Sequence, residues 1–284
     1  MRSIQIEFNR EKRAMNFFEK IEHIQNKNNS FLCIGLDIDL EKIPPHLHNC
    51  NDPIFEFNKS IIDATKDLVC AYKPNLAFYE QYGMKGLEAL IKTIKYISSQ
   101  IPIIADAKRG DIGTTSKAYA KAIFEELSCD ATTVNPYLGH DSFVPFLSYK
   151  DKGIFILCLT SNEGAKDFQM PNHLYLKVAQ SIKEWNMNNN CGLVVGATYP
   201  EQLKEIRNIA GDLPFLVPGI GKQGGDVTAT VGYGMNSKKR GLIINASRSV
   251  IYASNDKNFS ECARKEALRL NDLINKVREE FNLL

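Results

Sequence analysis

Short apolar, β-branched runs alternate along the chain with longer stretches of helical periodicity. The runs fall at residues 31–36, 68–72, 101–105, 131–134, 154–159, 192–195, 214–217 and 242–244, and predict eight strands. Between them, 55–68, 85–98, 117–127, 174–186 and 201–209 space their apolar residues at helical intervals, and a closing helix is predicted over 259–281. In 117–127, for example, Ala118, Ala122, Ile123 and Leu127 share one face. The strand runs lack a clean in–out alternation, which points to a parallel sheet covered on both faces. Eight βα units favour a closed (β/α)8 TIM barrel over an open doubly wound sheet. No Pro/Gly/Ser-rich linker divides the chain, so a single domain over 1–284 is expected, with an N-terminal helical extension over about residues 1–29. The stretch 228–240 is the least regular, and its Ser-Lys-Lys-Arg, residues 237–240, reads as a solvated loop.

Composition narrows the class. The chain has 284 residues, 44% hydrophobic and 24% charged, as for an α/β protein in water. Lys plus Arg is 35 and Asp plus Glu is 33, a net of +2, so no nucleic acid or other polyanionic partner is expected. The seven cysteines are scattered and form no C-x-x-C pair, which fits reduced thiols in a cytoplasmic protein. The opening MRSIQIEFNREKRAMNFFEK is too charged for a secretory signal, and no apolar run approaches a membrane span.

The charges then fall where a barrel places its chemistry, at the C-terminal ends of the strands. The first run ends in GLD with Asp37, and the second in AYKPN with Lys73 and Asn75. The third ends in DAKRGDIG with Asp106 and Lys108, the fourth with Asn135, and the eighth in INASRS with Arg248. Asp106 and Lys108 are two apart, so both project to one side of a continued strand, beside Lys73. An ion network that only stabilises the barrel top is the plainer reading, although buried ion pairs rarely stabilise better than apolar residues do.

Gly219, Gly221 and Gly224 spell G-x-G-x-x-G, yet on the seventh turn rather than the first, and without an acidic residue about 20 positions on. A phosphate site after strands seven and eight fits better, with backbone N–H groups near Gly219 and Gly221 and a bidentate grip from Arg248. A plain Gly-rich turn with a surface arginine is the alternative. Thr160-Ser161-Asn162 is a further polar turn. His46, His48 and Cys50 have no second ligand pair, and no metal site is expected there.

Taken together, DAKRGDIG against D-x-K-x-x-D-I, the Lys of AYKPN, GLD, TSN, PGIGKQGGD and INASRSVIYAS resemble the orotidine 5′-phosphate decarboxylase family, in its longer, bacterial-type branch. The resemblance covers nearly the whole chain. It implies decarboxylation of orotidine 5′-monophosphate to UMP, the last step of de novo pyrimidine nucleotide synthesis, with no metal and no organic cofactor. It implies a Lys73–Asp106–Lys108–Asp111 charge network in a homodimer, with Asp111, Ile112 and Thr115 completing the neighbour's site. Asp37 and Asn75 would hold the ribose or groups near it, and Ser161 would face the pyrimidine. Gln223 would bridge phosphate and base, and Arg248 with the Gly219–Gly221 backbone would bind phosphate. The alternatives are a Mg²⁺-dependent sugar-phosphate decarboxylase or lyase of the same suprafamily, an NAD-dependent oxidoreductase, and a non-catalytic phosphate-binding barrel.

Overall fold

Eight short strands, β1 Leu32–Gly35, β2 Ala71–Lys73, β3 Ile104–Arg109, β4 Ala131–Val134, β5 Gly153–Leu159, β6 Cys191–Val195, β7 Phe215–Pro218 and β8 Leu242–Ala246, form one parallel sheet. The computed structural model describes residues 15–97, 99–220 and 226–282. The strand order β2-β1-β8-β7-β6-β5-β4-β3 leaves β2 and β3 at the two ends. These ends meet through the bridges Tyr72↔Ile103 and Asn75↔Asp106, which close a TIM barrel. The seam is thin because Pro74 and Pro102 offer carbonyls but no N–H. The Tyr72 N–H donates to the Pro102 carbonyl (3.1 Å) and the Asp106 N–H to the Pro74 carbonyl (2.9 Å).

The principal helices are α1 Phe17–Lys27, α2 Pro53–Thr65, α3 Gly83–Tyr96, α4 Gly113–Lys121, α5 Leu174–Trp185, α6 Pro200–Ala210, α7 Val227–Gly234 and α8 Phe259–Asn282. Between β4 and β5 the helical structure is short, the 3-10 turn His140–Ser142 followed by the single turn Val144–Leu147. The stretch 228–240, the least regular part of the sequence, contains α7. Its VTATVGYG is rich in β-branched residues and glycine, which hides the helix, whereas the Asp226 carboxylate caps it by accepting from the Thr228 and Ala229 N–H groups. The Ser237–Arg240 stretch after it is a turn, as expected. Helix α4 begins earlier than its periodicity indicates and runs on into a π-helical turn, Ala122–Glu126.

Ahead of β1 lies helix α1; residues 1–14, the first half of the expected N-terminal extension, lie outside the described residues. A capping box starts α1: the Asn16 side chain accepts from the Glu19 N–H (3.0 Å), and the Glu19 carboxylate accepts from the Asn16 N–H (2.9 Å). Phe17, Ile21 and Ile24 of α1 then pack with the lower interior layer of Cys33, Ala71, Ile104, Ala131, Phe155, Leu216 and Ile243. Gly153 permits this contact, since a Cβ there would lie 2.2 Å from a Phe17 ring atom. The lower part of the barrel is therefore filled by apolar side chains. One step up each strand, two residues on, the inward positions become Lys73, Asp106, Thr133, Leu157, Pro218 and Asn245. The chemistry begins at that layer.

Candidate active site

These positions open into a cavity of about 340 Å³, at the low end of the volumes usual for small-ligand sites. On one side stand Lys73, Asp106 and Lys108, with Thr133 beside them. Lys73 Nζ lies 2.6 Å from Asp106 Oδ2, and Lys108 Nζ lies 2.5 Å from Asp106 Oδ1. The Thr133 hydroxyl donates to the same Oδ1 at 3.0 Å. Side-chain exposure separates the two amines: 4% for Lys73, 10% for Asp106 and 48% for Lys108. Only Lys108 offers its ammonium to a bound molecule.

Burial favours the neutral forms of this pair, and the opposite charges overrule it. Burial pushes the Asp106 carboxyl up, but the ammonium groups of Lys73 and Lys108 outweigh it and hold the acid well below the usual carboxylate range. Burial likewise pulls Lys73 down, and the carboxylates of Asp106 and Asp37 raise it above its ordinary value. Asp106 is thus anionic and Lys73 cationic.

Asp37, Asn245 and Ser247 line the cavity beside this cluster. The Asn245 amide donates to Ser247 Oγ at 3.2 Å. Asp37 Oδ1 and Asn245 Oδ1 are buried acceptors with no hydrogen-bond partner among the described residues. Such atoms cost free energy unless a ligand supplies a donor. The loop carrying Asp37 is held by three tyrosine hydroxyls. That of Tyr79 donates to the Leu36 carbonyl (2.9 Å), that of Tyr82 accepts from the Leu40 N–H (2.9 Å), and that of Tyr252 donates to the Asp37 carbonyl (3.0 Å) while accepting from the Asp39 N–H (2.6 Å).

The opposite wall is apolar, formed by Leu157, Val194, Leu216, Pro218 and Ile220, with the turn Thr160-Ser161-Asn162 above it. Gly219 follows β7 with φ +103°, a conformation that favours glycine. Arg248 opens the short helix Arg248–Ile251 at the cavity rim, exposed, and its guanidinium has no hydrogen-bond or ion-pair partner among the described residues. Gly221 and Gln223, expected at the phosphate, lie outside the described residues, as does Gly224.

The structure brings Lys73, Asp106, Lys108, Asp37, Ser161, Gly219 and Arg248 into one cavity. It does not bring Asn75, whose side-chain oxygen accepts from the Ala77 N–H (3.3 Å) while its backbone bridges Asp106. Nor do Asp111, Ile112 and Thr115 line this chain's cavity; they start α4 on the surface, with Ile112 58% exposed. His46 and His48 sit in the 3-10 turn Pro45–Asn49, away from the cavity. Sequence reasoning missed Thr133, which reads as one more β-branched strand residue. Asn245 and Ser247 it met only as part of INASRS. The signal available for Asn245 is an amide two residues beyond an inward strand position.

The arrangement juxtaposes an accessible ammonium, an apolar wall and an available guanidinium, which suits an anionic ligand with an apolar body and a remote second charge. Comparison with known proteins agrees. Residues 30–261 match the model of the orotidine 5′-phosphate decarboxylase / HUMPS family. The chain is 50% identical over 275 residues to an orotidine 5′-phosphate decarboxylase of Dehalococcoides mccartyi, covering 94% of this chain and 100% of that one. It is 51% identical over 276 residues to that of Cellvibrio japonicus, covering 93% and 100%. The structure of Leishmania donovani OMP decarboxylase superposes with a TM-score of 0.81 at 38% identity, over 93% of this chain and 99% of that one. The chain belongs to the orotidine 5′-phosphate decarboxylase / HUMPS family.

Proposed function

We infer that this chain decarboxylates orotidine 5′-monophosphate to UMP and CO₂ in pyrimidine nucleotide synthesis. The observation that carries the reading is the half-exposed Lys108 ammonium, 2.5 Å from the buried Asp106 carboxylate in a cavity of about 340 Å³. Loss of CO₂ leaves its bonding electron pair on C6 of the pyrimidine, where no neighbouring carbonyl delocalises it. A fixed cation beside C6 stabilises that charge as it develops. The Lys108 ammonium then delivers the proton that converts the carbanion into UMP, and the amine regains a proton from solvent.

Repulsion between Asp106 and the substrate carboxylate is a lesser contribution. Two like charges about 4 Å apart cost about 4 kcal/mol at an effective dielectric of 20, against the roughly 8–23 kcal/mol by which enzymes lower barriers. Stabilisation by Lys108 therefore carries the larger share.

The remaining residues take roles by position. Asp37 accepts from the ribose hydroxyls, with Asn75 near it. Ser161 faces the base, Arg248 and the Gly219–Gly221 backbone hold the phosphate, and Gln223 bridges phosphate and base. Binding energy from the phosphate, remote from the breaking bond, is realised in the transition state through closure over the ring.

The functional unit is a cytoplasmic homodimer, each protomer one barrel with its N-terminal helical extension. Asp111, Ile112 and Thr115 reach the neighbour's cavity and complete the charge network. Support comes from the surface: exposed Ile112, Tyr137 and Leu138 lie in adjoining loops, joined where the Asn135 N–H donates to the Arg109 carbonyl (2.8 Å). No metal or organic cofactor takes part in this reading. A Mg²⁺-dependent lyase of the same suprafamily is less well supported, because both Asp106 oxygens already carry ammonium partners that repel a dication. The test is incubation of purified protein with orotidine 5′-monophosphate in EDTA, followed in the ultraviolet. Undiminished conversion to UMP is expected. No conversion, or conversion that requires added Mg²⁺, contradicts the reading.

A further inference from the structure

We propose that Thr133 is a positioning residue that holds Lys108 in its reactive orientation, an inference that rests on the decarboxylase reading above. The ladder between β3 and β4 pairs Ile104 with Ala131 and Ala105 with Thr132, then slips, so that Arg109 faces Val134. Three residues of β3 (106 to 108) are thus set against one of β4, Thr133. The slack is absorbed in a bulge where Lys108 adopts φ +47°. This left-handed conformation is uncommon for any residue but glycine, asparagine or aspartate, and a lysine side chain, unlike the short polar ones, does not hydrogen-bond its own backbone to offset it.

What offsets it is the Thr133 hydroxyl. It accepts from the Lys108 backbone N–H at 3.0 Å and donates to Asp106 Oδ1 at 3.0 Å. That same oxygen accepts from Lys108 Nζ at 2.5 Å. Backbone, hydroxyl, carboxylate and ammonium therefore close one ring that begins and ends on Lys108. The ring fixes both ends of the lysine against one anchored carboxylate. Thr133 is 1% exposed, so its contribution runs through Lys108 rather than through contact with the base. Without the hydroxyl, the Lys108 N–H loses its acceptor and the bulge can relax towards extended backbone, swinging the ammonium off C6.

Thr132 is the internal control. It lies next along β4, is equally buried, and its hydroxyl also donates across to β3, to the Ala105 carbonyl at 3.0 Å, but it touches neither Lys108 nor Asp106.

The experiment compares Thr133→Val, Thr133→Ser and Thr132→Val with wild type in kcat, in KM for orotidine 5′-monophosphate and in Kd for UMP. Thr133→Val should lower kcat by about 100-fold, the usual consequence of misplacing a reacting group by roughly 1 Å, while KM and UMP affinity stay within about threefold. Thr133→Ser should restore most of kcat, and Thr132→Val should keep it. A Thr133→Val enzyme with wild-type kcat, an equal loss in Thr132→Val, or a parallel loss of UMP binding in folded Thr133→Val would each overturn the proposal. If Thr133→Val fails to fold, Thr133→Ala takes its place with the same expectations. The crystal structure of the variant gives a reading independent of turnover: φ at Lys108 should leave the left-handed region, and its persistence with the ammonium unmoved would also overturn the proposal. A wild-type protein that leaves orotidine 5′-monophosphate intact would instead overturn the decarboxylase reading.

Discussion

At Asp106 each carboxylate oxygen has an ammonium partner, Lys73 on Oδ2 and Lys108 on Oδ1. The lowered acid contributes stability above the unfolded carboxylate value of about 4 and loses it as pH falls through its own, lower value. The raised Lys73 contributes below about 10 and loses it as pH rises through its own, higher value. Between about pH 5 and 9 the wild-type pair therefore adds no slope to stability. Replacing Asp106 by Asn removes the ion-pair partner of the buried Lys73 ammonium, leaving Asp37 to favour its charge, and should cost about 3–5 kcal/mol. Burial then depresses Lys73, so the unfolded state binds more protons than the native state. The variant, unlike wild type, should gain stability as pH rises from about 7 towards 10. Denaturant midpoints at both ends of that range check the sign, and parallel curves for the two proteins would contradict it.

Among the elements, the segment after β8 does two tasks: Arg248 faces the cavity rim and Tyr252, four residues on, clamps the Asp37 loop. Tyr252→Phe leaves the Asp39 N–H and the Asp37 carbonyl without that partner. Steady-state kinetics should register a rise of about 5- to 20-fold in KM for orotidine 5′-monophosphate, one or two hydrogen bonds' worth, with kcat nearly kept. An unchanged KM would mean that the clamp does not position Asp37. This contact joins residues over 200 apart in sequence and is invisible to any local pattern. The same limit explains what the chain made legible. Apolar runs ending in Asp37, Lys73, Asp106 and Arg248 announced the strands and the charged mouth, because burial and charge are written residue by residue. Strand alternation correctly set Asp106 and Lys108 on one side, yet the bulge that tilts Lys108 depends on the pairing of β3 with β4. Helix α7 was hidden because its β-branched, Gly-containing sequence gives a weak helical pattern that capping by Asp226 and packing against α6 and α8 override.

For the molecule as a whole, an apolar floor packed against α1 and a charged layer directly above it divide the barrel into a part that folds and a part that reacts. The proposed dimer makes each reacting part a joint product of two chains. Mixing Lys108→Ala with Asp111→Ala protomers should then restore activity to about one quarter of wild type, since half the dimers are mixed and each mixed dimer has one intact site. No restoration after verified subunit exchange would place Asp111 outside the neighbour's site. The central claim is that the Lys108 ammonium acts on C6 in the transition state and contributes little to ground-state binding. The most direct test is Lys108→Ala, with kcat for orotidine 5′-monophosphate and Kd for UMP measured on the same folded protein. The expected result is a fall in kcat by a factor of about 10³ or more with UMP affinity within about tenfold of wild type. A variant that turns over at the wild-type rate, or one whose loss of turnover is matched by an equal loss of UMP binding, would contradict it.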